Sequence, residues 1–446
     1  MTPRPFNILY LHCHDAGRYI QPYGYAVPTP SLQTLAEQGV LFRNAFTTNP
    51  TCSPSRACLL TGQHAHVNGM LGLAHRGFRL NDYSHHLIHT LHDAGYTSAL
   101  AGIQHLAHDD TPGSADVSAI GYQRTLTQNP HFQAPTDAAV DFLHEHHDRP
   151  FFLSVGYYAP HRDSVKHRPE QSFPSPGPAL DDRYVRPPAP LPDSPQTRRD
   201  FAEYASSMQS TDLCMGRVLE ALDRTGLADN TLVLATTDHG IAFPNMKCRL
   251  TDHGLGVMLI LRGPADSVYR GGKVIDAITT HLDFYPTVCD ELGLDPPDRL
   301  QGKSLRSLVS GQAQTLHEQI FAEVNFHAAY EPMRAVRTDR FKYIRHLADL
   351  DKRVLPNVDD SPSKTCLVRK GWSDRPPMRE ELFDLVLDPQ ESHNLADDPA
   401  YSATRRDLRT RLDRWMRDTD DPACTGRVPK PPHARTTDSS AYSPDG

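Results

Sequence analysis

Three short stretches combine side chains that could do chemistry with positions that could present them. The first is Thr51-Cys52-Ser53-Pro54-Ser55-Arg56-Ala57-Cys58-Leu59-Leu60-Thr61-Gly62. Pro54 and the helix-forming run Ser55–Leu60 predict that Cys52 sits at a helix N-terminus, where unpaired N–H groups and the helix dipole favour an anion such as sulfate. The second is His14-Asp15, which follows the apolar run Asn7–Cys13; the third is Asp238-His239-Gly240, which follows Thr231–Thr236. Short apolar runs of this kind make buried parallel strands. Both polar pairs therefore fall at strand C-termini, where open α/β sheets bind ligands.

The stretch from Thr51 to Gly62 resembles the sulfatase signature, which reads Cys or Ser, any residue, Pro, any residue, Arg, four residues, then Thr-Gly. Every fixed position is present at the expected spacing. The order of segments is similar to a sulfatase along nearly all of residues 5–420, including His281-Leu282-Asp283-Phe284-Tyr285-Pro286-Thr287, Glu381-Leu382-Phe383-Asp384-Leu385, Asp388-Pro389 and Asn394-Leu395. Within the family the chain looks most like the heparan N-sulfatase (sulfamidase) branch. That likeness rests on Phe42-Arg43-Asn44-Ala45-Phe46, Asn68-Gly69-Met70, Ala159-Pro160-His161-Arg162, Phe243-Pro244 and Pro332-Met333-Arg334.

The resemblance implies that a maturation enzyme oxidises Cys52 to formylglycine, whose hydrate attacks sulfur with one hydroxyl and expels sulfate by collapse of the second. Arg56 would hold the formylglycine oxygen and offset its charge. One divalent metal would assist, held in this family by an Asp-Asp pair and an Asp-Asn pair; here His14, Asp15, Asp238 and His239 stand at those positions, together with residue 52. Ca2+ is the family's usual ion. Two imidazoles soften the site and move the preference toward Mn2+ or Zn2+. His161 matches a substrate-binding histidine, and Lys247, nine residues after Asp238, matches the lysine that contacts sulfate and protonates the leaving atom. His105 is kept in Gly102-Ile103-Gln104-His105, but Ile103 stands where the family has lysine. Arg162, Arg76 and His66 are the candidates to replace that cation.

The elements that must position these residues alternate. Strands are expected at Thr97–Ala101, Phe151–Tyr157, Thr231–Thr236 and Val257–Arg262, and helices at Ala134–His146 and Asp200–Arg224. A helix opens at Thr29-Pro30-Ser31, capped by the Thr29 hydroxyl, and closes at Gly39. The pattern predicts an α/β fold, a central mixed sheet flanked by helices, which the resemblance makes alkaline-phosphatase-like. A strand pair at Ala335–Arg345, a strand at Leu382–Leu385 and a helix from Tyr401 to Met416 predict a smaller C-terminal antiparallel α+β subdomain. The expected division is a catalytic domain over 1–332, the subdomain over 333–424, and a disordered tail over 425–446, which holds too little apolar surface to offset its ordering entropy. The 38 prolines cluster at 160–193 and 422–444 and predict irregular loops there.

Composition narrows the partners. A net charge of -8 offers no field for nucleic acid. No apolar run nears the ~18 residues of a membrane span, and no apolar leader precedes Asn7, so a cytoplasmic protein is expected. The eight cysteines lack paired spacing, as reduced thiols do. No glycine-rich phosphate loop or internal repeat is present. The expected function is a sulfohydrolase acting on a small sulfated sugar or amino sugar, as an O-sulfate ester or N-sulfamate. The alternatives are a phosphonate monoester or phosphodiester hydrolase on the same scaffold, favoured by Asp238-His239, and a binding protein in which Cys52 is never matured.

Overall fold

The computed structural model describes residues 5–107, 116–166 and 168–445. The run Asn7–Cys13 forms strand β1, buried along its whole length. Successive side chains of a strand point to opposite faces, so Leu9, Leu11 and Cys13 enter one core and Ile8 and Tyr10 the other. The first core packs helices Gln133–His144 and Pro195–Arg224 against the sheet; the second packs helices Cys52–Thr61 and Phe284–Leu292. Both faces of the sheet are thus covered, as expected of parallel strands.

The remaining strands of this half are β2 (Val40–Phe42), β3 (Ala45–Phe46), β4 (Thr97–Gly102), β5 (Arg124–Thr127), β6 (Phe151–Gly156), β7 (Thr231–Thr237), β8 (Leu259–Arg262), β9 (Lys273–Ile275) and β10 (Thr279–Thr280). Seven of them join β1 in an eight-stranded sheet of order β5-β4-β6-β1-β7-β8-β2-β9, while β3 pairs with β10. Only β8 runs against its neighbours, which makes the sheet mixed. The four strands expected from the sequence are all present, shifted by no more than two residues.

Helix α1 (Pro30–Gln38) starts where expected, but Thr29 does not cap it. Its hydroxyl accepts from Gln21 N instead, and Asp212, on the long helix, accepts from Ser31 N (3.0 Å) and Leu32 N (2.9 Å). A carboxylate carries more charge to the helix N-terminus than a hydroxyl does. The long helix Pro195–Arg224 is closed at its start by a reciprocal Ser194–Thr197 capping box with Pro195 in the first turn.

The antiparallel sheet contains β11 (Gln319–Phe326), β12 (Tyr330–Thr338), β13 (Phe341–His346) and β14 (Glu380–Asp384), in that order. The boundary expected at 332 therefore falls inside β12. Phe326 pairs with Tyr330 across a tight connection, so the sheet already begins at Gln319. One face buries Val324, Met333, Ala335, Ile344 and Phe383. The other buries Val336, Tyr343 and Leu382 against Leu408, Leu412 and Trp415 of helix Ser402–Asp418. Each such large apolar side chain contributes about 1.5–3 kcal/mol by leaving water.

Residues 425–445 correct the expectation of a disordered tail. Val428 and Ala434 are buried in the second core, Val428 N donates to Tyr330 Oη (3.1 Å), and Thr437 N donates to Ala328 O (2.8 Å). Backbone hydrogen bonds to distant segments hold this stretch, which composition does not register. No helix among the described residues is long and apolar enough to cross a membrane.

The stretch is led into place by a buried ion pair. Arg334, fully buried on β12, donates from Nε to Asp421 Oδ2 (2.5 Å) and from a terminal nitrogen to Asp421 Oδ1 (2.8 Å). Removing Asp421 would leave buried Arg334 to the more distant Glu323 Oε2, 3.7 Å away, in place of its two-pronged partner. Asp421→Ala is expected to cost about 3 kcal/mol in urea unfolding; a loss below about 1 kcal/mol would show that the pair does not hold this end of the fold.

Candidate active site

β1 and β7 lie side by side with Cys13 opposite Thr237, so the pairs His14-Asp15 and Asp238-His239 leave the sheet together. Hydrogen bonds then stitch the two exits: Asp15 N to Asp238 Oδ1 (2.8 Å), Ala16 N to Thr237 Oγ1 (3.0 Å) and Gly17 N to His239 O (2.9 Å). Position 240 must be glycine, because a Cβ there would stand 2.0 Å from His253 O.

Helix α2 (Cys52–Thr61) begins at Cys52, with Thr51 before it in an extended conformation. Pro54 falls in the first turn, where a missing N–H removes no helical bond. Gly62, at φ 68°, ends the helix in a left-handed turn. All ten residues of α2 are buried. Cys52 Sγ lies 3.3 Å from His239 Nε2. Burial raises its thiol well above the ordinary value, with the Lys247 charge opposing.

Arg56, one turn further on, does not reach for Cys52. Its guanidinium meets His12 Nδ1 (2.6 Å), Cys13 O (3.1 Å) and Asp238 Oδ2 (3.1 Å). Burial works against the charge of Asp238, yet His239, Arg56 and His14 hold its carboxyl well below the usual carboxylate range. Burial pushes His14 down to about 3, and the Arg56 charge adds to that.

Lys247 comes from the loop after β7. It donates to Asp15 Oδ2 (2.9 Å), and it lies 3.2 Å from Asp359 Oδ2 and 3.4 Å from His161 Nε2. Burial opposes its charge, but Asp15 and Asp359 raise its pKa well above that of a free lysine. His161, reached from the end of β6, packs edge-on against the His14 ring, and the His105 ring lies 5.4 Å from His14. Burial lowers His105 far below the ordinary imidazole value.

The donor set suits a divalent cation. One ligand atom each from Asp15, Cys52, Asp238 and His239 lies within 4.8 Å of the others, and the same holds for His14, Asp15, Cys52 and His161. His14 Nδ1 lies 3.0 Å from Asp238 Oδ2, but His14 Nε2 and Asp15 Oδ1 are buried without a hydrogen-bond partner among the described residues. Such orphaned acceptors are costly unless something positive meets them. A cavity of about 290 Å³ opens above the cluster, lined by His14, Cys52, His105, Tyr158 and His161 among others.

All the residues expected at the site are near one another, with Arg56 beneath the cluster and not at the cavity. Of the three cations proposed to replace the family lysine, only Arg76 lines the cavity. Arg162 is fully buried in a two-pronged pair with Asp200 (2.7 and 2.9 Å), and His66 is taken by Glu323 (2.8 Å) and Thr419 (2.9 Å). Sequence reasoning missed Asp359 and His327, which also line the cavity. Asp359 sits in an Asp-Asp pair in a polar loop, a pattern shared by any solvated turn. His12 was hidden in the apolar run of β1.

The sulfatase family model matches residues 7–294, and the model of the N-sulphoglucosamine sulphohydrolase C-terminal region matches residues 247–370. The chain belongs to the sulfatase family. Human N-sulphoglucosamine sulphohydrolase is 31% identical to this sulfatase, over 94% of this chain and 91% of the human protein. An ulvan-active sulfatase of Formosa agariphila is 27% identical, over 93% of this chain and 75% of its own. The solved structure of a protein in complex with its substrate D-glucosamine-2-N,6-O-disulfate superposes with a TM-score of 0.68 at 19% identity, covering 94% of this chain and 99% of that one.

If the cluster holds a cation, its carboxylates set the affinity. Asp15→Asn is expected to weaken divalent-ion binding beyond the ~10–100-fold typical of groups one shell further out. Calorimetric titration with Ca2+, Mn2+ and Zn2+ measures this; unchanged affinity for all three would remove Asp15 from the ligand set.

Proposed function

We propose that this sulfatase removes sulfate from a small sulfated amino sugar, as an N-sulfamate or an O-ester. The observation that carries the reading is the position of Cys52: first residue of a buried helix, facing two carboxylates and two imidazoles at the floor of a small cavity. The kinship with an N-sulphoglucosamine sulphohydrolase supports the amino sugar. The limited cavity volume supports a monosaccharide or short fragment over a polymer.

In this reading Cys52 Sγ stands where an oxygen of formylglycine belongs in the mature enzyme. Formylglycine would supply, as its hydrate, one hydroxyl to attack sulfur and a second to release sulfate and restore the aldehyde. A divalent cation held by His14, Asp15, Asp238, His239 and residue 52 would take up charge on the sulfuryl oxygens; the mixed imidazole and carboxylate set favours Mn2+ or Zn2+ over Ca2+. Asp238 stays ionised because Arg56 braces it from below, so Arg56 acts through Asp238. Lys247 remains charged between Asp15 and Asp359 and attracts the sulfate oxygens. His161, 18% exposed at the cavity and touching Lys247, is placed to hand a proton to the departing oxygen or nitrogen. His105 shapes the wall beside His14.

One observation favours a second reading, a phosphonate or phosphodiester hydrolase. Ile103 lines the cavity where the family lysine would add a cation. Assaying a sulfated amino sugar and an aryl phosphonate side by side separates the two, with the sulfated sugar expected to show the higher kcat/KM. The Cys52 peptide from the native host is expected to be lighter than the thiol form by about 18 Da. Cys52→Ala is expected to lower kcat by at least about 1000-fold. A full-mass thiol peptide, with activity surviving the substitution, would refute formylglycine chemistry.

A further inference from the structure

Residues 435–445 run along the edge of the cavity, where they bring the Arg435 guanidinium beside that of Arg76. Arg76 is mostly buried, its side chain 12% exposed. It donates to Thr437 Oγ1 (3.2 Å), Pro444 O (2.9 Å) and Asp445 Oδ1 (3.1 Å). Arg435 donates from its side chain to His75 O (3.0 Å) and from its backbone to Arg76 O (2.8 Å), which locks the two residues together. Both arginines and Asp445 line the cavity above Cys52. They also line a second cavity of about 510 Å³, shared with Thr436, Thr437 and Asp438. The two spaces meet at this pair of cations.

Adjacent guanidinium groups repel, and burial of Arg76 adds to the cost of its charge. One carboxylate among the described residues pairs with Arg76, that of Asp445, and none pairs with Arg435. Asp445 is 97% exposed, so its bond to Arg76 is screened by water and readily exchanged. A fork of Arg donors suits carboxylate and sulfate oxygens alike. We propose that Arg76 and Arg435 form a second anion subsite. It takes an acidic group of the substrate other than the sulfate being removed, either a further sulfate or a carboxylate, and Asp445 occupies it when no substrate is bound. This rests on the reading of the chain as a sulfated-sugar hydrolase and narrows it to doubly acidic sugars.

The test is binding, which needs no turnover. Full-length Cys52→Ala protein is titrated calorimetrically with glucosamine N-sulfate, with glucosamine 2-N,6-O-disulfate, and with an N-sulfated glucosamine joined to a uronic acid. The disulfate or the uronate-bearing probe should bind more tightly than the monosulfate; whichever does identifies the second group. Arg435→Gln should weaken that probe about tenfold and the monosulfate less than about twofold. Asp445→Asn, on an exposed side chain, should tighten the doubly acidic probe about threefold by removing its internal competitor. A structural role for these residues predicts no such gain. Equal changes for singly and doubly acidic probes, or no tightening by Asp445→Asn, would overturn the subsite. Hydrolysis of the monosulfate by the unmutated enzyme is scored separately and reports on the proposed function alone.

Discussion

The carboxylate of Asp238 is buried, and four groups from three parts of the chain converge on it: Asp15 N, His239 N, the Arg56 guanidinium and the His14 ring, all within 2.8–3.1 Å. Taking a carboxylate out of water costs several kcal/mol unless partners restore what solvation provided. That requirement fixes much of the fold. β1 and β7 must be neighbours so that the backbone of one loop can donate to the side chain of the other, and α2 must enter from below so that Arg56 reaches Asp238. Ser55, on the same helix, donates to the backbone carbonyl of Asp238 and holds the approach. A change at Asp238 is therefore felt by three elements at once.

Arg56 illustrates how such a cluster divides labour. Its signature position implies contact with the nucleophile, whereas its guanidinium is spent on His12, Cys13 and Asp238. The charge it offsets belongs to Asp238, just beyond β7, and not to residue 52. Lys247 plays the matching part on the other side, between Asp15 and Asp359. Asp15 and Asp238 lie buried beneath the cavity, each beside a fixed cation, and the His14 ring stands between them. This leaves acceptor atoms bare where a cation could be met.

What the sequence made legible follows from range. The strands that carry the site are buried on both faces, so they read as apolar runs, and polar pairs at their ends mark the rim. Helix α2 carries its own N-terminal signal in Pro54 and the helix-forming run Ser55–Leu60. The features missed are those decided across long separations. Asp212 caps a helix 180 residues earlier, and Asp359 partners a lysine from another loop. The segment 425–445 lacks apolar content and is held by backbone bonds and a few arginines, none of which leaves a periodic trace. The boundary expected at 332 cuts the β11–β12 hairpin because the antiparallel sheet already begins at Gln319, a start that composition does not mark.

The cavity draws its walls from both ends of the chain, His14 at one extreme and Asp445 at the other. A ribosome delivers these in order, at roughly 5–20 residues per second. By the time residues 435–445 emerge, β1, α2 and β7 have long been available to assemble, so the charged floor can form while its roof is still missing. Synthesis thus makes the basin available before the segment that covers it. A modifying enzyme acting on the finished fold would have to reach Cys52 past Arg435 and Asp445, whereas one acting before those residues emerge would meet an uncovered basin.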